Sequence, residues 1–171
     1  MAGFHTKTFL KYDDYMTPEI AWINIKNFIP ADKIIWEPFY GDGKSGEYLE
    51  KLGFNVIHDK SDFFENDKGD IVISNPPFSK KKEVLTRLKE LDKQFILILP
   101  ASTITTQYIR ELFKDDKLQI IIPRRRIHFD KKINGETPAN WKNACNFDCF
   151  YAVLNLTMNR IQFFFMFIKL C

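Results

Sequence analysis

The sequence of 171 residues predicts an α/β sandwich with a mainly parallel sheet. Three observations predict it. The strand candidates are short, continuous apolar runs, as expected for strands buried on both faces. They alternate with segments whose apolar residues recur at helical spacing. Several runs stop at proline or glycine turns, and ligands bind at the carboxyl ends of strands in open sheets of this kind.

Taken in order, residues 1–16 are polar and aromatic and read as an N-terminal arm. Thr17-Pro18-Glu19 has the form of a helix start, with Thr as cap, Pro at the first helical position and Glu in the first turn. That helix should run to about Phe28, with Trp22, Ile25 and Phe28 on one apolar face. Lys33 to Phe39 is the first core strand, followed by a glycine-rich turn. A helix from about Ser45 to Leu52 ends at Gly53, a common C-terminal glycine. Phe54 to His58 is the second core strand. Ser61 to Phe64 reads as either a short strand or an irregular loop, and Ile71 to Ser74 as a buried strand. Lys80 to Lys93 carries Val84, Leu85, Leu88 and Leu91 at helical spacing, with lysines elsewhere around the wheel. Phe95 to Leu99 is a further strand, Thr105 to Phe113 a helix, and Leu118 to Ile122 a strand closed by Pro123. A polar loop runs to about Asn143, and Phe147 to Leu156 is the last clear strand. There is no internal repeat and no domain boundary, so residues 1–171 read as one domain with a tail over 157–171. Ile161 to Ile168 is either an antiparallel partner of the preceding strand, the reading favoured here, or an exposed apolar tail.

Composition narrows the function classes. Hydrophobic residues make up 45% and charged residues 27%, ordinary values for a soluble globular domain. A net charge of +3 permits a polyanionic partner without requiring one. The three cysteines, Cys145, Cys149 and Cys171, indicate neither a disulfide framework nor a zinc site, and no metal is expected. Reduced thiols and the lack of an apolar leader fit the cytoplasm, or the cytoplasm or nucleoplasm of a host cell, rather than secretion. The longest apolar run, Phe163 to Ile168, is far short of the ~20 residues that span a bilayer, so no membrane is expected.

The chain is organised around Asp70-Ile71-Val72-Ile73-Ser74-Asn75-Pro76-Pro77-Phe78. The β-branched run makes a buried strand, and two prolines with fixed φ end it. Pro76 also drives Asn75 towards an extended conformation. The result is a stiff turn at a strand end that carries an amide, backbone carbonyls and an aromatic ring. Without a ligand it is simply a strand that stops at a Pro-Pro turn.

Glu37-Pro38-Phe39-Tyr40-Gly41-Asp42-Gly43-Lys44-Ser45-Gly46 joins the first core strand to its helix. Glycines let backbone approach a ligand, and a helix start favours negative charge. Gly41, Gly43 and Gly46 match the dinucleotide spacing GxGxxG, a weak signal alone. Gly43-Lys44-Ser45 resembles the end of a P-loop, but Pro38 stands where that loop needs its first glycine. S-adenosylmethionine is the third candidate. Its ammonium could be held by Glu37 or Asp42, whereas a pyrophosphate would be repelled by both. Asp59, at the end of the second core strand, could accept ribose hydroxyls, and Asp62 the adenine amino group. A solvated acidic loop is the bland alternative for these two aspartates.

With these residues in hand, the chain resembles the S-adenosylmethionine-dependent N6-adenine methyltransferases, in a small phage- or virus-type form. The resemblance rests on Tyr15-Met16-Thr17-Pro18, the Glu37 to Gly43 motif, Asp59, Asp62-Phe63-Phe64 and Asn75-Pro76-Pro77-Phe78, in that order. It implies a Rossmann-like class I methyltransferase fold with helices on both faces of the sheet. It also implies that Tyr15, Thr17 and Pro18 wrap the cofactor and that Glu37 and the Gly41 and Gly43 backbone hold its methionine part, with Phe39 and Asp42 also among the cofactor-binding residues. Asp59 would hold the ribose, and Asp62 and Phe63 the adenine. Asn75, Pro76, Pro77 and Phe78 are the implied catalytic turn, specific for methylating a planar amino nitrogen. Asn75 Oδ1 and the Pro76 carbonyl would accept its two N–H groups, with Phe78 stacked on a flipped base.

Two departures from the family pattern matter. The short stretch between Asp59 and Asp70 leaves no room for a helix between the second and third core strands. The length leaves no room for a separate target-recognition domain, so specificity falls to loops or a partner protein, or is low. Lys80 and Lys81 follow the catalytic turn, and Arg124, Arg125 and Arg126 follow a later strand. In a parallel sheet both clusters share the edge of Asn75 and could contact phosphates, with His128 and Phe129 adding stacking. A solvated face is the alternative for the charges, and core burial for Phe129. The expected substrate is adenine in nucleic acid, with DNA favoured over RNA. The rivals are methylation of a protein glutamine amide and a catalytically silent nucleic-acid-binding subunit.

Overall fold

The computed structural model describes residues 13, 15–131 and 147–156. The expected tail strand over 161–168 and most of the N-terminal arm lie outside the described residues.

Apolar runs and turn residues place the elements close to where the sequence puts them. The chain forms β1 (Tyr15–Met16), α1 (Glu19–Ile23), β2 (Ile34–Trp36), α2 (Lys44–Lys51), β3 (Asn55–Ile57) and β4 (Ile71–Ser74). It continues with α3 (Lys81–Glu90), β5 (Gln94–Pro100), α4 (Gln107–Leu112), β6 (Gln119–Ile121), β7 (Asp130–Lys131) and β8 (Cys149–Leu154). The first helix is shorter than its pattern suggests: α1 stops at Ile23, and a 3-10 turn over Lys26–Phe28 completes the apolar face. Ser61 to Phe64 forms turns, not a strand.

The main sheet has the order β3-β2-β4-β5-β8-β6. β3, β2, β4 and β5 pair in parallel, and β8 runs antiparallel to both β5 and β6. β6 therefore points the same way as β5, and β8 alone is reversed. Successive side chains on each strand point to opposite faces, and this alternation builds two cores. Ile71 and Ile73 of β4, with Ile96 and Ile98 of β5, pack under Trp22 of α1, Ile25 just after it and Leu49 of α2. Val72, Phe95, Leu97 and Leu99 point the other way, to Val84, Leu85 and Leu88 of α3 and Ile109 of α4. Each fully buried Leu or Val contributes about 1.5–3 kcal/mol.

No helix lies between β3 and β4; residues 58–70 are turns and loop. The loop is pinned instead. Asp70 N–H donates to the Ile34 carbonyl at 2.8 Å, and its carboxylate accepts from Ile34 N–H at 2.8 Å. Lys93 ties Asp67 and the Gly69 carbonyl, each at 2.6 Å. Phe63 fills part of this face against Trp36 and Phe39, with ring centroids 5.5 and 5.1 Å away. Because β2 has β3 on one side and β4 on the other, chain direction diverges at its carboxyl end, where open sheets form a crevice. Among the described residues, no helix is long and apolar enough to cross a membrane.

Candidate functional site

A cleft of about 260 Å³ opens at the carboxyl ends of β2 and β4. Its walls are the 37–45 turn, the start of the Asn75 turn, Asp13 and the strap 15–17. Of the residues singled out from sequence, Tyr15, Thr17, Glu37, Phe39, Gly41, Asp42, Asn75 and Pro77 line it.

The glycine turn adopts conformations that suit glycine. Gly41 and Gly43 have φ of +54° and +82°, and Gly43 N–H donates to the Tyr40 carbonyl at 2.7 Å. A Cβ on Gly43 would lie 2.9 Å from the Tyr40 hydroxyl oxygen. Gly46 serves packing: a Cβ there would sit 2.2 Å from Cγ of His58, so α2 can lie close on β3 only without a side chain. Ser45, in the first turn of α2, accepts from Trp22 Nε1 at 3.1 Å, which joins α1 to α2 behind the cleft.

Glu37 is 1% exposed. Burial pushes its carboxyl up to about 8, against smaller lowering effects of the Ser74 hydroxyl and the Phe39 backbone amide. Ser74, itself buried, donates from Oγ to Glu37 Oε1. Glu37 Oε2 is buried with no hydrogen-bond partner among the described residues. Asn75 is similar. Its Nδ2 donates to the Tyr15 carbonyl at 3.2 Å, while its Oδ1 is buried with no hydrogen-bond partner among the described residues. An unpaired buried acceptor costs about 1–3 kcal/mol, so two of them on one cleft mark a place for a donor-bearing ligand.

Other predicted residues sit elsewhere. Pro18 precedes α1 in extended conformation, and Pro76 is buried beneath the turn. Phe78 does not present a face to the cleft. It is 6% exposed and packs on Tyr15 at 6.2 Å, Phe129 at 6.1 Å and Phe147 at 5.6 Å between ring centroids. Phe63 is a core residue on the sheet face that α3 and α4 cover. Asp59 lies off the cleft lining with both carboxylate oxygens engaged. Lys68 donates to Oδ2 at 2.7 Å, and Ser61 donates to Oδ1 through its backbone N–H at 3.0 Å and its hydroxyl. Lys68 and Ser61 hold this carboxyl well below the usual carboxylate range. Asp62 is exposed and accepts from Phe64 N–H at 2.7 Å.

The basic clusters divide. Lys80 is exposed, with its ammonium 5.8 Å from the Phe64 ring centroid, but Lys81 Nζ is given to the Phe78 carbonyl at 3.0 Å. Arg124 and Arg125 are exposed. Arg126 forms a two-pronged pair with Asp148, Nε to Oδ1 at 2.7 Å and the second prong to Oδ2 at 3.0 Å. His128 is exposed, whereas Phe129 is fully buried and cannot stack on a ligand in this arrangement. Asp13, Met16, Tyr40 and Ser45 also line the cleft, although the sequence did not single them out as ligand-binding residues. Their adjacency to the marked motifs was the available signal. Among the described residues, no group of three or more His, Cys, Asp or Glu is placed to hold a metal ion.

Residues 60–136 match the family described as adenine-specific methyltransferase EcoRI. Over 106 residues the chain is 30% identical to the type II methyltransferase M.EcoRI of Escherichia coli. The alignment covers 61% of this chain and 27% of that protein, so the chain spans about a quarter of that relative's length. Among solved structures, a dimethyladenosine transferase from Plasmodium falciparum superposes with a TM-score of 0.50 at 13% identity. That match covers 84% of this chain and 63% of the other, and it concerns the fold alone.

Proposed function

We propose that the chain is an adenine-specific methyltransferase whose cleft binds S-adenosylmethionine, and that it methylates the exocyclic N6 amino group of adenine in nucleic acid, DNA before RNA; the likeness of residues 60–136 to the adenine-specific methyltransferase family supports this reading. The observation that carries this reading is the pair of unpaired buried acceptors, Glu37 Oε2 and Asn75 Oδ1, on one cleft.

The residues present fit the cofactor. Glu37 is neutral in the free protein near pH 7 and would release its proton to solvent so that Oε2 accepts from the cofactor's ammonium, and the Gly41 and Gly43 backbone leaves room for close approach. When bound, the cofactor supplies an electrophilic methyl group. The protein's task is to make a poor nucleophile competent, because the adenine amino lone pair is delocalised into the ring. Asn75 Oδ1 and the Pro76 carbonyl accept its two N–H groups, favouring a pyramidal nitrogen with an available lone pair. That is positioning plus electrostatic stabilisation, with no covalent enzyme intermediate. Phe78 acts from below, as the support of the turn, by packing on Tyr15. Asp59 would have to exchange Lys68 or Ser61 for ribose hydroxyls as the cofactor enters. Lys80, Arg124 and Arg125 are the candidate phosphate contacts, with target choice left to their loops or to a partner protein.

The test has two stages. Calorimetric titration with S-adenosylmethionine should give saturable binding. Labelled cofactor should then transfer its methyl group to DNA or RNA in preference to protein. Label on protein glutamine would support that rival instead, and cofactor binding without transfer to any of these substrates would support the silent-subunit reading.

A further inference from the structure

We propose that Asp13 and the strand Tyr15–Met16 form a clamp on the catalytic turn, and that Asp13 is its positioning residue. The proposal rests on the reading of Asn75 as acceptor of the reacting amine.

Three contacts from these residues reach the beginning, middle and end of the turn. At the beginning, Asn75 Nδ2 donates to the Tyr15 carbonyl at 3.2 Å. In the middle, the Tyr15 ring stacks on Phe78, with centroids 6.2 Å apart and planes at 27°. At the end, the Asp13 carboxylate accepts from Ser79 N–H at 3.1 Å and from the Ser79 hydroxyl. The partners are 60 or more residues apart in sequence at both outer contacts. The strand is itself anchored, because Tyr15 and Met16 of β1 pair with Lys131 and Asp130 of β7.

The chemistry assigns each contact a task. A side-chain amide can rotate by half a turn and exchange its donor for its acceptor. Facing the Tyr15 carbonyl, only Nδ2 makes a hydrogen bond; Oδ1 in that place would set two acceptors against each other. The carbonyl therefore directs Oδ1 away from the strap, where it stands buried and unpaired. Pro76 and Pro77 make the turn stiff, so fixing its far end helps to fix Asn75. Asp13 does this through charge-assisted hydrogen bonds to the backbone and hydroxyl of Ser79. Asp13 acts through Ser79, although its residue also lines the cleft.

The experiment combines a spectroscopic and a kinetic readout on the full chain. With selective 15N labelling of asparagine, the Asn75 side-chain amide should show one hydrogen-bonded, slowly exchanging proton. In Asp13→Ala that protection should fall about tenfold. The same variant should lower kcat by about 10- to 100-fold while cofactor Kd stays within about twofold. Ser79→Ala should lower kcat in the same direction, and the double variant should be no worse than Asp13→Ala. Asp13→Asn, which keeps an acceptor, should recover part of the rate. An unchanged Asn75 amide in Asp13→Ala overturns the clamp, as do losses that multiply in the double variant. A large rise in cofactor Kd with kcat intact makes Asp13 a cofactor ligand and also overturns it. A wild type that neither binds cofactor nor transfers methyl defeats the functional reading, and the amide signal still decides the clamp.

Discussion

The two ends of the sheet's upper edge treat their polar groups in opposite ways. At β2 and β4, Glu37 and Asn75 are held in place by Ser74 and Tyr15, yet each keeps one buried acceptor without a partner. At β6 and β8, Arg126 and Asp148 satisfy each other and Phe129 is fully buried. Folding tends to satisfy buried polar atoms, so an oriented but incomplete group points to a ligand. A charge that already has a two-pronged partner points to structure. The comparison moves weight from Arg126 to the β2 and β4 end.

The largest expected effect breaks the β4 side of this contrast. Asn75→Ala should lower methyl transfer by about 10²- to 10³-fold, as loss of a single preorganised polar group does. Cofactor affinity by calorimetry should change little. Near-normal turnover would remove the unpaired acceptor from the mechanism.

The next effect concerns the β2 side. Burial raises the Glu37 carboxyl to about 8, so the native state keeps a proton that the unfolded chain loses near its ordinary value of 4.5. Its contribution to stability is fully present below about 4.5 and is lost as pH rises through about 8. Inside that window the slope is up to about 1.4 kcal/mol per pH unit. Glu37→Gln should flatten the slope in denaturant titrations at pH 5, 6.5 and 8, conditions that lie inside the stated window. An unchanged pH profile would show that Glu37 is ionised in the free protein.

Packing beneath the glycine turn gives a smaller effect. In Gly46→Ala the new Cβ would meet the His58 ring, which stacks on Tyr40 and lies 3.4 Å from Glu50. A loss of about 1–3 kcal/mol is expected from such overpacking. A neutral result would mean that α2 shifts off β3 without strain.

The smallest effects belong to the arginines. Arg126→Ala should change stability little, because both side chains of its pair are substantially exposed and solvent screens them. It should leave the salt dependence of nucleic-acid binding unchanged. Replacing Arg124 and Arg125 together by Ala should reduce the log–log salt slope by about 2. The opposite pattern would return Arg126 to the interface.

Much of the fold was legible because its signals are local. Continuous apolar runs marked β4 and β5, and Gly43 and Asn75-Pro76-Pro77 marked the turns by backbone chemistry alone. The short Asp59–Asp70 spacing likewise announced the missing helix. Long-range pairing was not legible. Nothing near Ser74 shows that its hydroxyl meets Glu37, and nothing near Asp13 shows that it meets Ser79. Arg126 and Phe129 look like interface residues in a basic, aromatic string. Only the return of β8 beside β6 brings up Asp148 and closes the core over the ring. Phe78 shows the same limit: a motif names a ring, but tertiary packing decides which way it faces.

The account is tested most directly by nucleoside mass analysis after incubating adenine-containing DNA and RNA with labelled S-adenosylmethionine. The wild type should place the label on N6 of adenine in one of these polymers, and Asn75→Ala should place none above background. Label on cytosine, label only on protein, or equal product from the two proteins would contradict it.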